Sequence, residues 1–127
     1  IDSGKNRLDH LFLRSKISIS TWNTTSCLET LSVNIPTIMF WDPKYFEIKK
    51  SAEKYFDLLK KVGILHDNPK SAANHLIKIW DDIDGWWESP DVVEAREIFV
   101  DRYANNKDLI GKLIRVLKMP NDYKFKI

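Results

Sequence analysis

The sequence predicts an α/β domain with few parallel strands and helices in excess. Three observations lead there. Residues 16–41 read as strand, helix, strand; Thr37 to Trp41 is an uninterrupted apolar, β-rich run; and from Tyr45 onward apolar residues recur at spacings of three and four.

The first strand alternates around Ile17 and Ile19 between Lys16 and Ser20. A helix follows, with Asn23, Thr24 and Thr25 as capping candidates and Cys27, Leu28 and Leu31 as its apolar face. Asn34-Ile35-Pro36 ends it, and the run from Thr37 to Trp41 has no polar alternation, as expected of a strand covered on both faces. Two such strands joined by a helix form a parallel, right-handed βαβ unit. The next helix is expected from Tyr45 to Val62, closed by Gly63. Ile64-Leu65-His66 makes a short third strand, and Asn68-Pro69 is a cap with a first-turn proline. That proline opens a helix expected to turn Ala73, Leu76, Ile77, Trp80 and Ile83 inward, with an interruption at Asp84-Gly85. Ser89-Pro90 starts a helix carrying Val92, Ala95, Phe99 and Tyr103 inward. A last amphipathic helix is expected from Asn106, striped by Leu109, Ile110, Leu113, Ile114 and Leu117, so that residues 105–127 form a C-terminal helix and tail. The opening residues, with Leu8, Leu11 and Phe12 as their apolar group, are left unassigned.

Composition bounds the function. A chain of 127 residues, 43% hydrophobic and 30% charged, fits one globular domain with a conventional core. The net charge of +2 is too small to argue for nucleic acid, and the basic residues after Asn105 are not interleaved with aromatics in a groove-like pattern. Cys27 is the only cysteine, which excludes a disulfide framework within the chain and any metal site of paired thiolates. No apolar run approaches the length of a membrane helix, and a cytoplasmic location is expected, with the inner membrane face reached through partners. The start at Ile1, without a Met, predicts a fragment of a longer protein, and so short a sheet predicts further strands in that parent.

The chemistry-bearing segment is Ser18 to Glu29. In open α/β sheets ligands sit where strand carboxyl ends lead into helix N-termini. Here the loop Ser20-Thr21-Trp22-Asn23 leads to the helix start at Thr24, Thr25 and Ser26, whose free N–H groups and neighbouring hydroxyls suit a phosphate. Glu29 lies further along the helix, within reach of ribose or sugar hydroxyls. The same residues also suit an ordinary N-cap with a dipole-favoured Glu, and spacing alone favours the cap. Neither a Walker loop nor G-x-G-x-x-G is present.

The order of residues adds to this reading. Thr21-Trp22-Asn23-Thr24-Thr25-Ser26-Cys27-Leu28-Glu29-Thr30-Leu31, followed by Asn34-Ile35-Pro36-Thr37-Ile38-Met39-Phe40-Trp41, resembles the signature of a bacterial surface-carbohydrate biosynthesis transferase family. The resemblance continues through Ala52 to Leu59, Gly63 to His66, Ser71-Ala72-Ala73, and Trp86-Trp87 with Arg96, Phe99 and Tyr103. Trp22 stands where that family often has Tyr. More distantly the chain is similar to GT-B glycosyltransferases and nucleotide-sugar epimerases. The resemblance implies a Rossmann-like C-terminal half of a GT-B fold, with residues 16–41 as its donor-phosphate unit. It implies phosphate contacts from Thr24, Thr25 and Ser26, a loop lined by Ser20, Thr21 and Asn23, and a ribose contact from Glu29. The implied partner is a nucleotide-diphosphate-sugar or CMP-sugar, bound as substrate with no cofactor. Catalytic groups would come from a missing N-terminal domain, so the fragment alone is expected to be inactive. A non-catalytic, helix-rich interaction module is the competing class, and an epimerase the variant within enzymes.

Other candidates carry less. Asp42 and His66 end strands at the same sheet edge and are candidate sugar or ribose contacts, His66 equally serving as a turn residue. His10 and His75 lack a paired ligand at metal spacing and are expected to be structural or solvent-facing; no metal site is expected. Asp81, Asp82 and Asp84 lack the alternating loop of an EF-hand and form a solvated acidic face. Trp86 and Trp87 point apart on a helix, so at least one belongs in the core.

Overall fold

A computed structural model describes residues 14–23 and 25–104. Three strands, β1 (Ser18–Ser20), β2 (Thr37–Phe40) and β3 (Leu65–His66), form one sheet in the order β1-β2-β3, and all pairings are parallel. Ile19 lies opposite Ile38, and Phe40 opposite His66. Between them run α1 (Thr25–Ser32) and α2 (Lys50–Lys61); α3 (Pro69–Ile79), α4 (Ile83–Trp87) and α5 (Pro90–Tyr103) follow. The α/β class with helices in excess is thus the observed one.

Side chains alternate across β2, so the sheet has two packed faces. Met39 joins Cys27, Leu31, Phe56, Leu59, Trp87, Val92 and Phe99 in the larger core, under α1, α2 and α5. Ile38 joins Ala72, Ile79 and Ile83 on the opposite face, under α3 and α4. The edge-to-face pair of Phe56 and Phe99, with ring centroids 5.1 Å apart, ties α2 to α5.

Two helix ends explain how the strands are aimed. At the end of α1, Ile35 N–H donates to Thr30 O and Asn34 N–H to Leu31 O, with Asn34 at φ 62°. At the end of α2, Ile64 N–H donates to Leu59 O and Gly63 N–H to Lys60 O, with Gly63 at φ 80°. Both are Schellman turns, which satisfy orphan carbonyls and reverse the chain straight into a strand.

Three sequence expectations are corrected. The helix expected from Tyr45 begins at Lys50, because Asp42 Oδ1 accepts from Lys44 N–H at 2.9 Å and folds Pro43–Tyr45 into a 3-10 turn. The chain then runs on to place Phe46 against Trp22 and Trp41. The inward face of α3 is Ala72, Leu76 and Ile79, whereas Ala73 is exposed, Ile77 is 75% exposed and Trp80 50%. The helix break falls at Trp80 to Asp82 and not at Asp84-Gly85, which lie inside α4. Asp82 Oδ1 caps α4 by accepting from Gly85 N–H at 2.9 Å, and a Cβ at position 85 would collide with that carboxylate. The helix expected from Asn106, the apolar group Leu8, Leu11 and Phe12, and His10 lie outside the described residues.

Candidate functional site

The carboxyl ends of β1, β2 and β3 bring Ser20, Asp42 and His66 to one edge of the sheet. Ser20 is held from below: its hydroxyl donates to Trp22 O at 3.0 Å and accepts from Cys27 Sγ at 2.9 Å. Cys27 Sγ also approaches Trp22 O at 3.2 Å. Trp22 meets the Phe46 ring edge-on, with centroids 4.6 Å apart. The β1–α1 loop is therefore pinned to the first turn of α1 and to the chain after β2.

Its upper side is open. Thr21, Asn23, Thr25 and Glu29 are exposed, and their side chains make no hydrogen bond or ion pair among the described residues. Thr25 and Glu29, four residues apart, share one face of α1. Ser26 is half-buried and engaged within the fold. Thr24, the remaining phosphate candidate, lies outside the described residues. At the start of α1 the first-turn N–H groups have no acceptor one turn back within the helix, and the dipole is positive there.

The two other edge residues differ. Asp42 is exposed but uses Oδ1 on Lys44 N–H. His66 is braced at both nitrogens, Nδ1 with Ser71 Oγ at 2.8 Å and Nε2 with Gly63 O at 2.9 Å. Its ring lies 5.3 Å from that of His75, which in turn meets Trp86 edge-on at 5.1 Å. His75 is therefore a packed residue, not a solvent-facing one. Burial, then the neighbouring charges of His66 and Lys78, hold its pKa below the ordinary value of 6.5.

An apolar groove of about 270 Å³ opens at the same edge on the α3 face, lined by Ile19, Ile38, Phe40, Pro69, Ala72 and Leu76 among others. Among the described residues, no group of three or more His, Cys, Asp or Glu is placed to hold a metal ion, and no helix is long and apolar enough to cross a membrane.

Sequence reasoning missed Arg96, noted only as part of a motif. It is 8% exposed, lies over the Trp87 ring at 4.6 Å and donates to Trp87 O at 3.4 Å. One signal pointed to it: Arg96 is the only basic residue among eight acidic ones between Asp81 and Asp101.

Neither a curated protein nor a solved structure matches the chain. A family model does, over residues 1–117, and its description is LIC12162 family transferase. Since that match covers nearly the whole sequence, the chain belongs to the LIC12162 family of transferases.

Proposed function

We propose that this chain is the donor-binding part of a glycosyltransferase of surface-polysaccharide assembly, and that the β1–α1 loop grips the phosphates of a nucleotide-sugar. The carrying observation is the exposed polar face beside the start of α1. It lies at the carboxyl edge of a parallel sheet, with Thr25 and Glu29 exposed on one helix face and free of hydrogen bonds among the described residues. Transferase membership supplies the reaction class. Thr21, Asn23 and Thr25 offer hydroxyl and amide donors, the first-turn N–H groups of α1 meet the phosphate oxygens, and Glu29 accepts from ribose hydroxyls. Asp42 takes a sugar hydroxyl on its second oxygen, while His66, already braced, forms a fixed wall.

The chemical contribution of such a site is electrostatic. As the sugar leaves, negative charge grows on the phosphates, and fixed N–H dipoles stabilise it without reorganising. Acid and base groups for the transfer belong to the remainder of the protein in this reading. The Rossmann-like half of a GT-B enzyme is the architecture that fits, since it binds its donor at this edge.

Calorimetry on the full-length protein with UDP, GDP and CMP tests the reading. Saturable binding to one of them, weakened at least about tenfold by Thr25→Ala with Glu29→Ala, is expected. Absence of binding to all three, or unchanged affinity in the double variant, contradicts it.

A further inference from the structure

We infer that the cleft between the C-terminal end of α1 and α5 binds a carboxylate-bearing, hydroxylated ligand of the sugar-acid class, with its carboxylate on the Arg96 guanidinium. The cleft has a volume of about 430 Å³ and is lined by Leu31, Ser32, Asn34, Arg96, Glu97 and Val100, with Asp101 at its rim. It lies at the opposite end of α1 from the donor loop, about 12 Å along an eight-residue helix. It is independent of the phosphate reading.

Arg96 is what makes the cleft a site. It is more than nine-tenths buried, and its one hydrogen bond among the described residues is the long one to Trp87 O. It forms no ion pair within 4 Å among the described residues, although acidic side chains surround it in sequence. A guanidinium has five N–H donors, and those not used on Trp87 O stay open to the cleft, where a carboxylate can meet them by fork-to-fork pairing. Its position is set in advance. The planar group is stacked on Trp87, and Trp87 Nε1–H donates to Asn34 Oδ1 at 2.9 Å, the same Asn34 whose backbone ends α1.

The remaining walls narrow the ligand. Leu31 and Val100 provide an apolar side for a sugar C–H face, and the exposed Glu97 carboxylate accepts from hydroxyl donors. The exposed Glu97 carboxylate repels a phosphate dianion more than a monocarboxylate, which selects a sugar acid over a sugar phosphate. Burial lowers the Arg96 pKa, while Glu88 and Glu97 raise it, and the group remains a cation at neutral pH.

The test is titration of the whole chain with glucuronate, followed by the indole N–H resonance of Trp87 in proton–nitrogen spectra. A saturable shift is expected, with glucose and inorganic phosphate each at least about tenfold weaker. Arg96→Lys, which keeps the charge but loses the fork, is expected to weaken glucuronate about tenfold. Glu97→Gln, at the exposed rim, is expected to weaken it about fivefold with the fold intact. No saturable shift with glucuronate overturns the assignment, as does equal binding of glucose or phosphate. If Arg96→Lys does not fold, Glu97→Gln decides: unchanged affinity overturns the assignment, and weakened affinity supports it. A purely structural Arg96, stacking on Trp87 and capping α4, gives the first of the overturning results.

Discussion

Two helices begin at the same edge of the sheet, and the polar side chains described around their starts are used differently. At α3 the chain satisfies itself: Asn68 Oδ1 accepts from Ser71 N–H at 2.8 Å, Pro69 removes one donor, and Ser71 Oγ bridges to His66, whose other nitrogen pairs with Gly63 O. At α1 the hydrogen bonds of Ser20 and Cys27 hold the loop from below, while Thr21, Asn23, Thr25 and Glu29 face solvent with no partner among the described residues. A polar cluster at a helix start is ambiguous in sequence. The geometry sets these two apart: one is a brace, and at the other Thr21, Asn23, Thr25 and Glu29 are left exposed without a partner among the described residues.

The comparison can be broken most forcefully on the braced side. A Cβ at Gly63 would run into the His75 ring, and the residue sits at φ 80°, so Gly63→Ala meets both overlap and backbone strain. It is expected to cost about 2–4 kcal/mol in urea unfolding. A cost under 0.5 kcal/mol contradicts the brace. On the open side the expectation reverses. Thr25→Ala with Glu29→Ala changes stability by no more than about 0.5 kcal/mol, since neither side chain bonds among the described residues, yet loses at least about 1.4 kcal/mol of nucleotide affinity. Asn68→Ala is the mirror image: about 1 kcal/mol of stability lost with the cap, and nucleotide affinity unchanged. Should Asn68→Ala weaken nucleotide binding as much as the α1 variant does, the distinction between the two starts collapses.

The smallest expected effect is a pH dependence confined to the braced side. The folded pKa of His75 is depressed, so the residue is neutral in both folded and unfolded chains well above 6.5. As the pH falls below 6.5 the unfolded chain takes up the proton first, and stability declines until the folded pKa is passed. Stability measured from pH 7.5 down to about pH 5 is therefore expected to fall, and His75→Gln to flatten part of that fall. The same slope in His75→Gln and in the native chain removes His75 as the cause.

What was legible in the sequence was local chemistry. The Ile17-Ile19 alternation, the continuous run from Thr37, Gly63 as a helix stop and Asn68-Pro69 as a helix start each carry their own backbone instruction, and each element stands where that instruction put it. What was not legible depended on distant partners. On α3 the sets Ala72, Leu76, Ile79 and Ala73, Ile77, Trp80 have equally good helical spacing. The first faces the sheet, where His75 has its packed place between His66 and Trp86. Asp42-Pro43 read as a strand end before a helix, but the aromatic contacts of Phe46 draw the following residues away from helical geometry. Arg96 was hidden for the same reason: its burial comes from Trp87, nine residues back on another helix. At the candidate site, the residue types were readable, but that Thr21, Asn23, Thr25 and Glu29 lack partners among the described residues was not, because an exposed cap and an exposed ligand group have the same sequence.

The most direct measurement is amide mapping of the intact protein by proton–nitrogen spectroscopy while UDP, GDP or CMP is added. If the open helix start receives the phosphates, the amides of Thr25, Ser26 and Cys27 shift saturably, and those of Ser71 and Ala72 stay in place. Shifts centred on Ser71, or none at Thr25 to Cys27 with every nucleotide, would contradict the assignment of the donor site to α1.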